Sequence, residues 1–112
     1  MESKYNGWRN YETWLTNLWL SNDQGTYEYW RDKAREAWQE AKATDTDSRA
    51  EQARCILAQS LKDETDDNNP CSGAGLYTDL LNAALSEVNW YEVAEAFLED
   101  IADEEEDEQN ER

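Results

Sequence analysis

The stretch Tyr27-Glu28-Tyr29-Trp30-Arg31-Asp32-Lys33-Ala34-Arg35-Glu36-Ala37-Trp38-Gln39-Glu40-Ala41 decides the fold class. Tyr27, Trp30, Ala34, Ala37, Trp38 and Ala41 recur at steps of three and four. At about 3.6 residues per turn those positions share one face of a helix. Charges of both signs fill the other face, with Glu28–Arg31 and Asp32–Arg35 at the i,i+3 spacing that lets opposite charges meet. Thr26 is the expected N-cap, and the helix is expected to reach about Thr44. A helix with one apolar stripe must cover it, so the flanking chain has to supply partners.

Toward the N-terminus, Asn22-Asp23-Gln24-Gly25 marks a break, because Asn and Gly tolerate left-handed backbone. Before it, Tyr11, Trp14, Leu15 and Leu18, with Trp19 beside them, give a helix over about Tyr11 to Asn22, capped by Asn10 and with Glu12 in its first turn. Residues 1–9 are a lead-in with a turn at Asn6-Gly7. Toward the C-terminus, Thr44-Asp45-Thr46-Asp47 breaks the chain before a third helix over about Ser48 to Thr65, with Ala50, Ala53, Ile56, Leu57 and Leu61 inward. Pro70, Gly73 and Gly75 make residues 66–75 a loop. A fourth helix is expected over about Leu76 to Ser86, with Leu76, Leu80, Leu81, Ala84 and Leu85 inward. Asn89-Trp90-Tyr91-Glu92 fits a capping box with Asn in the Ser/Thr position, and Val88 and Val93 fall at the staple positions, so a fifth helix starts there and runs to about Ala102. Alternating apolar and polar residues form no run of useful length, and no sheet is expected. The reading is an all-α, compact bundle of four to five helices over residues 1–102, with an acidic tail over 103–112 that is expected to be disordered.

Six Trp and six Tyr in a chain with mean hydropathy −1.10 reconcile a core with such polarity. Each buried aromatic removes roughly 150–250 Å² from water, and acidic disordered chains lack such residues. Most of the Trp and Tyr follow the helical faces. Tyr5, Trp8, Tyr29 and Tyr91 fit those faces least well and are the candidates for exposed anchors in an interface.

The net charge of −17 is unevenly placed. Residues 1–62 carry 10 acids and 9 bases; residues 63–112 carry 17 acids and one base, Arg112. This charge repels nucleic acid and anionic membranes, and points to basic partner surfaces. No run is long enough to span a membrane and no apolar N-terminal segment suggests a signal peptide, so a cytoplasmic location with reduced thiols is expected. Cys55 reads as a buried helical cysteine and Cys71 as an incidental loop residue.

Catalysis is not expected. The chain has no histidine, which removes Ser-His and Cys-His activation and histidine metal ligation. Asp63-Glu64-Thr65-Asp66-Asp67-Asn68-Asn69 invites a calcium reading, but a calcium loop starting at Asp63 would need Gly at Asn68 and Glu at Ala74. Gly73-Ala74-Gly75 lacks the Lys and the preceding strand of a phosphate loop. Neither a cofactor nor a metal is expected.

The fifth helix carries the most useful signal. Trp90, Val93, Phe97 and Ile101 fall within about 80° of one another, and Glu92, Glu95, Glu99 and Asp103 form a stripe on the opposite side. Like charges at i,i+4 cost a few tenths of a kcal/mol per pair, a penalty that interleaved lysines would remove. The stripe is therefore the first candidate binding surface, and Asp63, Glu64, Asp66 and Asp67 the second.

Tyr5-Asn6-Gly7-Trp8-Arg9-Asn10-Tyr11-Glu12-Thr13-Trp14, then Asn17-Leu18-Trp19-Leu20 and Asn22-Asp23, resembles a family of small proteins encoded on bacteriophages and plasmids. The segment from Leu80 to Glu95 is similar to their later segment, and the resemblance spans residues 5 to about 100. It brings no activity or site residues, but it implies a setting. Mobile elements carry small acidic proteins that block restriction or CRISPR machinery, some by imitating DNA. By that analogy the expected role is an anti-defence inhibitor whose acidic surface occupies the basic site of a host nucleic-acid-binding protein, with no direct contact to nucleic acid or membrane. The alternative is an interaction adaptor or host-takeover regulator that binds through exposed aromatics. Monomer and homodimer both remain open.

Overall fold

A computed structural model describes residues 5–44 and 47–110, with side chains up to residue 101. Its five helices are α1 (Tyr11–Asn22), α2 (Gln24–Glu40), α3 (Arg49–Asp67), α4 (Leu76–Ser86) and α5 (Trp90–Asn110). Among the described residues the sole β-type pairing is an isolated bridge between Tyr5 and Trp8. It closes the Asn6-Gly7 turn, where both residues have positive φ, +48° and +89°. That is the pair of left-handed positions for which Asn-Gly is the favoured sequence.

The core is a three-helix assembly. α2 contributes Trp30, Ala34, Ala37 and Ala41; α3 contributes Ala53, Leu57, Ala58 and Leu61; α5 contributes Val93, Ala94, Phe97, Leu98 and Ile101. The alanines let the helix axes approach closely while Trp30, the leucines and Phe97 fill the space between them. α1 packs on α2 and α5. Arg54 meets Glu95 and Cys55 meets Tyr91, so α3 and α5 run antiparallel.

The caps explain several boundaries and correct others. Asn10 caps α1 as expected, accepting the Thr13 N–H, whereas Ser48, expected as the first residue of α3, is its cap and accepts the Glu51 N–H. α2 is capped by Asp23 and not Thr26: the Asp23 carboxylate accepts the Thr26 N–H at 2.9 Å, and the helix begins at Gln24. A carboxylate there also meets the positive end of the helix dipole. α2 ends at Glu40, before the expected Thr44, where Ala41 turns to extended backbone. The backbone of α5 stays helical to Asn110, past the expected end near Ala102, so the acidic tail begins on helical backbone. Residues 111–112 lie outside the described residues.

Four expectations of burial fail. Tyr11 and Trp19 are exposed, and Trp14, Leu15 and Leu18 only half-buried, because α1 packs on α2 and α5 from outside the three-helix core. Ala50 is exposed in the first turn of α3, beyond the end of the core. Cys55 is exposed, with Sγ 2.6 Å from the Tyr91 hydroxyl. The largest departure is α4. None of its residues is buried; Leu81 and Leu85 are half-buried, while Leu76, Leu80 and Ala84 face solvent.

Candidate functional site

The acidic stripe is positioned by a polar clasp between the start of α1 and the start of α5. Thr13 is fully buried. Its hydroxyl donates to Asn10 Oδ1 at 2.6 Å and accepts the Asn89 N–H at 2.9 Å. The Asn10 amide donates onward to the Glu87 carbonyl at 2.6 Å. Asn89 Oδ1 accepts the Glu92 N–H at 3.2 Å, which caps α5. The reciprocal half of the expected capping box is absent. Thr13 takes the Asn89 N–H, and the Glu92 carboxylate instead accepts the Arg9 N–H at 2.9 Å. A buried hydroxyl satisfied on both sides ties the two segments together, since leaving any of these groups unpaired costs about 1–3 kcal/mol.

This clasp uses Arg9, Asn10, Thr13 and Asn89, residues of the two stretches that carry the sequence resemblance. Their first job is architectural. It orients the N-terminal turn against α5, so that Glu92, Glu95 and Glu99 line a shallow depression of about 240 Å³ with Gly7 and Trp8.

The stripe is not uniform. Glu92 is half-buried and engaged with Arg9. Glu95 is exposed and lies 3.6 Å from Arg54 Nη1 on α3, a cation invisible to a reading of α5 alone. Glu99 is exposed and meets no base among the described residues. Asp103 stands on helical backbone, and its side chain lies outside the described residues. Glu95 and Glu99 also border a second hollow of about 200 Å³ with Trp38, Ala50, Arg54 and Leu98.

The second acidic cluster sits at the C-terminal end of α3. Glu64 accepts the Tyr29 hydroxyl at 2.5 Å and lies 3.9 Å from Lys33. Asp66 pairs with Lys62 at 3.1 Å, and Asp63 accepts the Gln59 amide at 2.9 Å. Asp67 has no such partner among the described residues. Hydrogen bonding to the Glu64 carboxylate pushes the Tyr29 phenol above its ordinary value. Because α3 and α5 are antiparallel, this cluster lies at the opposite end of the bundle from Glu99. Glu99 lies beside Ala50 on α3, so at about 1.5 Å per residue the separation is roughly 20–25 Å, about three Debye lengths in physiological salt. The two clusters are separate surfaces, and only that on α5 has exposed carboxylates continuing into further acidic sequence.

Two of the five helices end in acids, and none carries a base in its last turn. A negative charge on the negative end of a helix dipole is unfavourable by about 0.3–1 kcal/mol at low ionic strength.

Tyr5, Tyr29 and Tyr91, proposed from sequence as exposed aromatics, are exposed, and Trp8 is half-buried. Tyr29 and Tyr91 are engaged through their hydroxyls, and Tyr5 stacks in a cluster with Tyr11 and Trp14. The most exposed aromatics, Trp19 at 71% and Tyr77 at 78%, fell outside that set. No helix among the described residues is long and apolar enough to cross a membrane.

The chain belongs to DUF7249, a family of unknown function whose profile matches residues 1–109. No curated protein and no solved structure matches it.

Proposed function

We propose that the chain is a phage- or plasmid-encoded inhibitor of host defence that occupies a basic nucleic-acid-binding surface with the carboxylates of α5. The observation that carries this reading is the helix itself. Val93, Ala94, Phe97, Leu98 and Ile101 fix one side of it in the core, and Glu95 and Glu99 stand on the exposed side. Between Glu99 and Glu108 the sequence holds eight acids, on backbone that stays helical. Over roughly 15 Å that is about one charge per 2 Å, against one per about 1.7 Å of duplex DNA axis. A run of acids at this density offers Lys and Arg side chains what a phosphate backbone offers, through charge-assisted hydrogen bonds and a long-range attractive field.

Glu92 plays a supporting part in this reading, since its carboxylate holds the N-terminal turn through Arg9. The contacting set is Glu95, Glu99, Asp103 and the acids that follow. Arg54 competes for Glu95, and a basic partner would displace it. The Asp63–Asp67 cluster is largely paired with its own neighbours and lies at the far end of the bundle.

The test is the triple variant Glu95→Lys, Glu99→Lys, Asp103→Lys, assayed for inhibition of a host restriction nuclease or CRISPR effector. Inhibition should be lost while far-ultraviolet circular dichroism stays unchanged. Undiminished inhibition by the folded variant removes the mechanism. The adaptor reading draws on Trp19 and Tyr77, and salt separates the two. Capture by charge weakens steeply as the Debye length shrinks from about 10 Å at 0.1 M to about 3 Å at 1 M, whereas aromatic docking barely changes.

A further inference from the structure

α4 covers only half of its apolar surface. Successive residues turn by about 100°, so with Leu76 at the origin Leu80 lies near 40°, Ala84 near 80°, Tyr77 near 100°, Leu81 near 140°, Leu85 near 180° and Ala83 near −20°. Leu81 and Leu85 rest on the body of the protein, around a hollow they share with Leu20, Trp30 and Pro70. The remaining arc, from Ala83 through Leu76, Leu80 and Ala84 to Tyr77, is exposed without interruption. Leu76, Tyr77 and Leu80 are 68%, 78% and 59% exposed. That arc of about 120° is as wide as the stripe an ordinary surface helix turns toward its core. An 11-residue helix with no buried residue and no side-chain N-cap is marginal in water by itself.

We infer that this face of α4 pairs with α4 of a second copy of the chain, the two helices antiparallel about a twofold axis at Leu80. A twofold contact sets a patch against itself, so position i meets position 160 − i. Leu76 then meets Ala84, Tyr77 meets Ala83, and Leu80 meets Leu80. Leu76 and Tyr77 each face an alanine, the two Leu80 side chains meet on the axis, and the alanines allow the helices to come near. This complementarity lies within one sequence, which is what distinguishes a second copy from an unrelated partner.

Charge favours the same face. Residues 63–112 have a net charge of −16, yet Leu76–Ser86 contains one charged residue, Asp79. Asp79 falls near −60°, outside the exposed apolar arc. Two chains of charge −17 repel each other over most of their surfaces, and α4, which like α1 carries a single charged residue, is a place where they can meet with little opposition. The arc offers up to roughly 500 Å² per copy, in the size range of weak, transient contacts, so the expected dimer is reversible, with a dissociation constant between about 1 µM and about 1 mM.

The experiment is sedimentation equilibrium of the full chain from about 1 µM to about 1 mM, near the limits set by such an affinity. The runs are made in about 0.15 M and about 1 M NaCl, which span strong and weak screening. The expected result is a monomer–dimer equilibrium that tightens with salt, as repulsion between like-charged copies is screened. Leu80→Glu, which places two carboxylates on the axis, should raise the dissociation constant at least about tenfold with helicity unchanged. Hydrogen exchange supplies a second readout independent of that variant: amide protection of residues 76–86 should rise with protein concentration. A chain that stays monomeric across this range in high salt overturns the inference, as does a dimer that Leu80→Glu leaves intact or whose protection maps elsewhere. Neither outcome bears on the acidic face of α5, since that binding weakens with salt where this one strengthens.

Discussion

α3 and α4 carry the same kind of sequence signal and meet opposite fates. Each is amphipathic and built on leucine and alanine. α3 buries Ala53, Leu57, Ala58 and Leu61, whereas α4 buries nothing. The difference is in the neighbours. α3 lies between α2 and α5 and is enclosed from two sides, while α4 follows a loop with Pro70 and two glycines and touches the body along one edge. Helical periodicity states which residues share a face. Whether that face is covered depends on what else the chain, or another chain, brings to it.

The sharpest way to break this comparison is to truncate one leucine in each helix. Leu57→Ala in α3 should cost about 2–5 kcal/mol, because it opens a cavity among enclosed side chains. Leu80→Ala in α4, measured by urea unfolding at concentrations where the chain is monomeric, should stay within about 0.5 kcal/mol, as for surface substitutions generally. Equal losses would mean that α4 is packed in the monomer after all. A gap that narrows as protein concentration rises would place the missing cover of α4 in a second copy.

Much of the three-helix core was legible in the sequence because its signals were redundant. Trp30, Ala34, Ala37 and Ala41 share a period, the period sits between a cap and a break, and the opposite face is charged. The same logic found α1 and α4 with both ends correct and still misjudged their burial. An apolar arc of about 180° on α4 carries no mark of which half is used. The candidate site was legible only in part. Spacing on α5 identified the stripe, but Arg54 reaches Glu95 from another helix, and Arg9 reaches Glu92 from a turn more than eighty residues away. Such contacts arise from packing and have no local signature. Asn10-x-x-Thr13 did have one, a cap, but its second use as a clasp on Asn89 required the fold.

That clasp gives the next prediction, smaller than the loss at Leu57. Thr13→Val keeps the shape of the side chain and removes the hydroxyl. Asn89 N–H then loses its acceptor at a half-buried position, and Asn10 loses one donor. The expected cost is about 1–3 kcal/mol, the penalty for a polar group left without its partner. Its further consequence tests the link between the clasp and the stripe: amide exchange should accelerate in the first turn of α5 and in residues 5–9, and leave the centre of α3 unchanged. Uniform acceleration would show that Thr13 merely stabilises the fold, with no special hold on the two segments.

The smallest expected effect lies in two tyrosines on the exposed sides of the bundle. Tyr29 donates to the Glu64 carboxylate and Tyr91 is hydrogen-bonded to Cys55, and in both cases that hydrogen bond is the main reason the phenol is held above its ordinary value near 10. A raised folded value means the folded state holds the proton more tightly than the unfolded chain. The associated stability is therefore present below pH 10 and is lost as the pH rises through the folded values. Tyrosinate titration by ultraviolet absorbance should show a late-ionising fraction in the native protein. Tyr29→Phe should remove part of it, and with Tyr91→Phe most of it. Both groups are open to solvent, which screens the contribution, so a change of curve shape is expected with little loss of stability at neutral pH. A double variant whose titration is unchanged would mean that neither hydrogen bond persists in solution. The Glu64 cluster would then be a looser surface than its geometry implies, closer in character to the exposed carboxylates of α5.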